Sequence, residues 1–186
     1  MRTIKLQLQI TADGFVGGPN GELDWTTFPW TDDINAYVGA LWEPVDRIVL
    51  GRELASGFIP AWESRPEGEP DEGIDKMIET PKVVVSRTLT ASPWKNAVVS
   101  ADLAGAVTGL KAEDGGDVMV AGGASVGRQL LALGLIDELH LFLNPVAIGA
   151  GLPLFEKGDG YQRMRLVAAR PFDCGVVGLH YAPQGH

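Results

Sequence analysis

The chain has 186 residues, 45% of them hydrophobic and 21% charged, with a mean hydropathy of +0.06; this composition suits one domain with a sizeable core and excludes a disordered or fibrous chain. Fifteen Lys and Arg against twenty-four Asp and Glu leave a formal charge of −9, which repels phosphate backbones and excludes a basic stripe for nucleic acid. One cysteine, Cys174, allows no internal disulfide and no Cys-rich zinc site, and Met1-Arg2-Thr3-Ile4 enters alternating sequence without a signal-peptide core or transmembrane run, so the expectation is a single cytoplasmic domain over 1–186 without metal.

Ile4, Leu6, Leu8 and Ile10 alternate with Lys5, Gln7 and Gln9, which predicts a first strand with one face buried. Residues 11–30 hold Asp13-Gly14, Gly17-Gly18-Pro19-Asn20-Gly21 and two tryptophans, the make-up of a long loop rich in turns. Thr31-Asp32-Asp33 forms a helix start, and Ile34, Tyr37, Val38, Leu41 and Trp42 recur at helical spacing up to Pro44. A strand at 47–50 ends at Gly51-Arg52, and residues 60–73, rich in Pro, Gly and Glu without an apolar period, read as an exposed connection.

A strand at 82–86 and a helix carrying Leu103, Ala106, Val107 and Leu110 lead to a buried strand at 117–121. Gly122-Gly123 follows at once, then a helix with Val126, Leu130, Leu131 and Leu133 that stops at Gly134. Residues 136–146 alternate Leu139, Leu141 and Leu143 before Gly149-Ala150-Gly151 and Pro153 break the run. Segments 164–169 and 176–181 pair as a terminal antiparallel hairpin, added to a mainly parallel α/β sheet.

The strongest chemical signal is Gly122-Gly123-Ala124-Ser125-Val126, where a buried strand delivers two glycines to a helix start. Free amide groups and the positive end of the helix dipole favour a pyrophosphate there, although the same turn also serves as a plain helix entry. It is neither the Gly-x-Gly-x-x-Gly fingerprint nor a P-loop. Gly51-Arg52-Glu53 and Ser86-Arg87 each put a guanidinium just past a strand, where open α/β sheets bind ligands; such an Arg also occurs as a solvated surface residue. In the loop, Asp24 and Trp25 put a carboxylate beside an aromatic ring able to cover a flat ligand. His140 in its apolar strand reads as a satisfied core histidine, and His180 and His186 lie near the chain end, none with a visible metal or triad partner.

In order, Ala12-Asp13-Gly14-Phe15-Val16-Gly17, Trp25, Val49-Leu50-Gly51-Arg52, Val84-Val85-Ser86 and Val120-Ala121-Gly122-Gly123-Ala124-Ser125-Val126 resemble the dihydrofolate reductase superfamily. Leu135-Ile136-Asp137-Glu138-Leu139-His140-Leu141, Pro145-Val146 and the stretch from Gly149 to Phe155 are similar to the C-terminal reductase domain of the bifunctional riboflavin-biosynthesis deaminase/reductase. The resemblance implies a three-layer dihydrofolate-reductase-like fold, with helices on both faces of the sheet, and NADPH as cofactor. Gly122, Gly123, Ala124, Ser125 and Val126 would hold the pyrophosphate, with a cis peptide at Gly122-Gly123. Gly51, Arg52, Glu53, Ser86 and Arg87 would lie near the adenosine phosphates, and Ala12, Val16, Gly17 and Trp25 near the nicotinamide.

It also implies a homodimer and a small heterocyclic substrate. Riboflavin-pathway reductases carry a Glu before the small-Gly pair where this chain has Ala121. The expectation is therefore an NADPH-dependent reductase of a planar heterocycle or related C=N or C=O compound. Asp24, Asp32 and Asp33 are its candidate proton relays. The alternatives are 5-amino-6-(5-phosphoribosylamino)uracil reductase and a nucleotide-binding module without catalysis.

Overall fold

The computed structural model describes residues 1–155 and 161–184; His186 lies outside them. Its frame is one eight-stranded sheet in the order β4-β3-β2-β5-β1-β6-β8-β7. The strand at the centre is β1 (Ile4–Thr11), paired in parallel with β5 (Asp117–Ala121) and β6 (Glu138–Asn144). Beyond β5, β2 (Val45–Gly51), β3 (Lys82–Val85) and β4 (Ala97–Ser100) add in parallel. On the other side β8 (Val177–Pro183) joins β6 antiparallel, and β7 (Met164–Pro171) joins β8 antiparallel as the edge. The mainly parallel sheet and its terminal hairpin are those predicted.

Alternation decides the layers. Ile4, Leu6, Leu8, Val118, Val120 and Leu139 face one side and pack against α4 (Leu103–Ala112) and α5 (Ala124–Ala132). On the reverse, Ile48, Leu50, Met119 and Phe142 pack against α1 (Asp32–Trp42) and α2 (Arg52–Glu63). Completely burying one such side chain is worth about 1.5–3 kcal/mol, so the two cores hold the sheet from both sides. The result is the three-layer fold of dihydrofolate reductase. No helix among the described residues is long and apolar enough to cross a membrane.

Two predicted boundaries are corrected. Residues 60–73 are not one exposed connection: α2 continues through Pro60 to Glu63, and α3 (Asp71–Glu79) opens after Pro70, leaving 64–70 irregular. Leu54, Ala55, Phe58 and Ile59 have helical spacing that the proline obscures, and Ala55 and Ile59 are buried. Arg65 joins the two helices by donating to Asp71 and Asp75 of α3, each at 2.7 Å. The predicted strand at 136–146 contracts to β6. Short β4, whose Val98 is exposed, lies at the edge and is set by pairing with β3 rather than by burial.

Candidate functional site

At the carboxyl ends of β2, β3 and β5 the sheet opens into a cleft of about 1000 Å³, at the upper end of ligand-pocket volumes. The starts of α2, α4 and α5 converge on it: Gly51-Arg52-Glu53, Asp102-Leu103-Ala104 and Gly123-Ala124-Ser125-Val126 all line the wall. Each start carries amides that the helix itself leaves unpaired and the positive end of a dipole. In α5 the first backbone bond is Gly127 N to Gly123 O, no side chain caps the end, and no acid or base stands in the first turn. The α2 start likewise has no side-chain cap, whereas Asp102 caps α4 by accepting from Gly105 N at 2.9 Å.

Glycine is required at the turn. Gly122 and Gly123 adopt φ of +64° and +82°, in the left-handed region. A Cβ on Gly122 would come within 2.9 Å of Leu54 Cδ2, and one on Gly51 within 3.1 Å of Val126 Cγ2, while the space before Gly123 is open. The backbone at Gly122 and at Gly51 therefore packs against a side-chain methyl, and the open space before Gly123 leaves a bare shelf beside free amides. The implied cis peptide at Gly122-Gly123 is not present, the cis bond among the described residues being Phe28-Pro29; the two positive φ values turn the chain with trans geometry.

The predicted cofactor residues mostly come together. Val16 and Gly17 form one rim of the cleft, Arg52 and Glu53 another, and Ser86 and Arg87 a third. Arg52 and Arg87 are solvent-accessible cations in that wall; Arg52 lies 3.7 Å from Glu53. Ser86 is buried and its hydroxyl accepts from Thr88 N and Leu89 N, so it shapes the turn that presents Arg87. Ala12, Trp25 and Gly122 do not line the cleft. Ala12 N is bonded to Val146 O, Trp25 Nε1 to Glu22 O, and Gly122 N to Gln7 O, so each is committed to backbone. Sequence reasoning missed Leu54 and Phe58 of α2 and Asp102 before α4, which also line the wall. An N-cap Asp before an apolar helical run was the available signal for the last.

None of the three candidate carboxylates lines the cleft. Asp24 and Asp32 are exposed. Asp33 accepts from Thr31 Oγ1 at 2.5 Å, Ile34 N at 2.9 Å and Asp173 N at 3.0 Å. The Thr31 hydroxyl bond leads in holding its pKa below the ordinary carboxylate value. Asp33 therefore ties α1 to the β7–β8 turn as a carboxylate, which removes it as a proton donor at neutral pH. Beside α1 lies an aromatic wall: Phe28 stacks on Trp30 at 5.3 Å and Trp30 on Phe142 at 6.1 Å, with Tyr37 edge-on to Phe142. Trp30 Nε1 is buried there with no partner among the described atoms.

The rim loop is held by Asp13, whose carboxylate accepts from Thr11 Oγ1 at 2.6 Å and from Ile148 N and Gly149 N. The Thr11 bond, then that of Gly149, lowers its pKa. A depressed carboxylate stabilises above its unfolded value and loses that contribution as pH falls through the folded one. Rim opening is thus expected only below the ordinary Asp range, near pH 4 and lower. Asp13→Asn is expected to reproduce it at neutral pH, raising hydrogen exchange at Ile148 and Gly149; unchanged exchange would contradict the anchor.

The histidine reading is corrected in part. His140 is buried, but its Nδ1 has no partner among the described atoms. Its ring stacks on His180 at 4.2 Å, a partner forty residues away that pattern could not supply.

A model of the RibD C-terminal domain matches residues 2–178. The uncharacterized protein YyaP of Bacillus subtilis strain 168 is 33% identical, over 97% of this chain and 94% of its own length. Among solved structures, a pyrimidine reductase-like protein from Corynebacterium diphtheriae superposes with a TM-score of 0.68 at 19% identity, covering 100% of this chain and 93% of that one. Dihydrofolate reductase from Enterococcus faecalis, complexed with NADP(H), superposes with a TM-score of 0.63 at 13% identity, covering 98% and 97%.

Proposed function

Because the chain belongs to the RibD C-terminal domain family, we propose that it is a reductase that uses NADPH to reduce a small planar heterocycle or a related C=N or C=O compound. The observation that carries this reading is the convergence of the uncapped α2 and α5 starts on one cleft whose wall also holds Arg52 and Arg87. Bound there, NADPH would supply the hydride.

The chain's own contribution is binding and orientation. Amides of Ala124, Ser125 and Val126 hold a diphosphate against the shelf at Gly123. Arg52 and Arg87 supply charge for the 2′-phosphate at the far end. Val16 and Gly17 close on the opposite end, and Leu54 and Phe58 give apolar surface between. The wall of Phe28, Trp30 and Tyr37 suits a flat ring. With Asp33 committed to its amides, the proton comes from water, directly or through exposed Asp24 or Asp32.

Titration of the purified protein with NADPH, followed by tryptophan quenching, tests the reading. Saturable binding is expected, and its absence overturns it. Arg52→Ala and Arg87→Ala should each weaken NADPH about tenfold or more, from about 1.5–3 kcal/mol per charge-assisted contact, and weaken NADH less. Equal losses for both coenzymes would remove the 2′-phosphate role. Complementation of a reductase-deficient riboflavin auxotroph separates the phosphoribosylamino-uracil substrate from other heterocycles. Coenzyme binding without turnover of any compound in a heterocycle and carbonyl panel would favour the non-catalytic module.

A further inference from the structure

Away from the cleft, β6 and β8 place three potential ligands on one face of the sheet. Glu138 and His140 are two residues apart on β6, so both point to the same side, and His140 is paired in register with His180 across the antiparallel β6–β8 ladder. Glu138 Oε2 lies 3.1 Å from His140 Nε2 and 3.7 Å from His180 Nε2, and one donor atom from each residue lies within 4.8 Å of the others. A tetrahedral ion with bonds of about 2.0–2.1 Å needs donors roughly 3.3 Å apart. The two carboxylate–imidazole separations bracket that spacing, and rotation of the stacked imidazoles, whose donors also fall within the 4.8 Å limit, would close the set.

The polar accounting points the same way. His180 Nε2 is buried and has no hydrogen-bond partner among the described atoms, although it faces a carboxylate. A buried unpaired nitrogen costs about 1–3 kcal/mol, which coordination would relieve. Lys5 Nζ lies 4.0 Å from Glu138 but is paired with Asp117 at 2.6 Å. Lys5, Asp117 and Glu138 together carry one net negative charge toward a dication. Tyr37 and Arg165 complete the charged and titratable surroundings. Glu138 is partly exposed, which leaves an entry path and room for water as a fourth ligand.

We infer that Glu138, His140 and His180 form a site for one divalent transition-metal ion of the zinc class, which ties β8 to β6. Two imidazoles and one carboxylate suit Zn²⁺ and Co²⁺ better than Mg²⁺ or Ca²⁺, which prefer all-oxygen shells. The role is structural, because none of the three residues lines the cleft.

The test uses metal-depleted, untagged full-length protein titrated calorimetrically with ZnCl2, with CoCl2 as the spectroscopic probe. One equivalent of Zn²⁺ should bind, raise the melting temperature and leave NADPH affinity unchanged. Co²⁺ should give the intense visible bands of a four-coordinate ion. Glu138→Gln, which keeps side-chain volume, and His180→Ala should each raise the Zn²⁺ dissociation constant at least about tenfold, the lower end for disturbing even the groups behind metal ligands. Cys174→Ser should change nothing. Absent binding, a weak octahedral Co²⁺ spectrum, or binding that survives Glu138→Gln overturns the site; the cobalt spectrum of the unaltered protein decides even if His180→Ala fails to fold.

Discussion

Ser125→Asp is expected to weaken NADPH binding by about two to three orders of magnitude, because two like charges some 4 Å apart at an effective dielectric constant near 20 repel by about 4 kcal/mol, and each 1.4 kcal/mol is a factor of ten. The protein should not unfold. Ser125 is exposed in the first turn of α5, where no acid now stands, and a carboxylate there interacts favourably with the helix dipole by about 0.3–1 kcal/mol. The same substitution thus raises helix stability and lowers coenzyme affinity, a pairing that simple misfolding cannot produce. Ser125→Asn, similar in size but neutral, should retain most of the affinity. Coenzyme titration beside a thermal melt reads both quantities. Undiminished binding in Ser125→Asp would mean that no phosphate meets the α5 start.

The second large effect is expected at Asn144, the completely buried last residue of β6. Its Oδ1 accepts from Thr27 N at 2.8 Å, and its Nδ2 donates to Gln9 Oε1 at 2.9 Å and to Phe142 O at 3.0 Å. One side chain thereby joins the central strand β1 to the loop that carries Trp25, Phe28 and Trp30. Asn144→Leu keeps the branching and the number of heavy atoms but strands the Thr27 amide and takes the donor from the Gln9 and Phe142 carbonyls. Thr27 and Gln9 are half-buried, so each unpaired group should cost toward the lower end of about 1–3 kcal/mol and the total loss should be about 2–4 kcal/mol, measured by urea unfolding. Turnover should fall further than coenzyme affinity, because the aromatic wall loses its anchor while the α5 start does not. If affinity fell as steeply as turnover, Asn144 would support the whole fold rather than the substrate side.

The core strands were legible because their physics is local. Ile4, Leu6 and Leu8 on β1, and the apolar run of β5 ending at Gly122, announce burial by period and composition alone. So does the helix start at Thr31, with its first-turn acids. The α2 helix was hidden for an equally local reason: Pro60 reads as a breaker, yet the surrounding contacts of Ala55 and Ile59 hold the helix through it. Net charge misleads about the cleft, since a chain of −9 still gathers Arg52, Arg87 and uncapped helix starts at one place.

Side-chain commitment was completed only by tertiary structure. Asp33, Asp32 and Asp24 are the same residue type in one stretch of sequence. Asp33 is held first by its neighbours Thr31 Oγ1 and Ile34 N, but the bond from Asp173 N that fixes it to the β7–β8 turn closes only in the assembled fold, while Asp24 and Asp32 stay exposed. His140 and His180 likewise become a pair only when two strands far apart in the chain take up register. The sequence by itself determined which segments are buried and where backbone must be bare, because period, volume and glycine freedom act within a few residues. Which polar atom meets which depends on contacts that close only after the sheet is assembled.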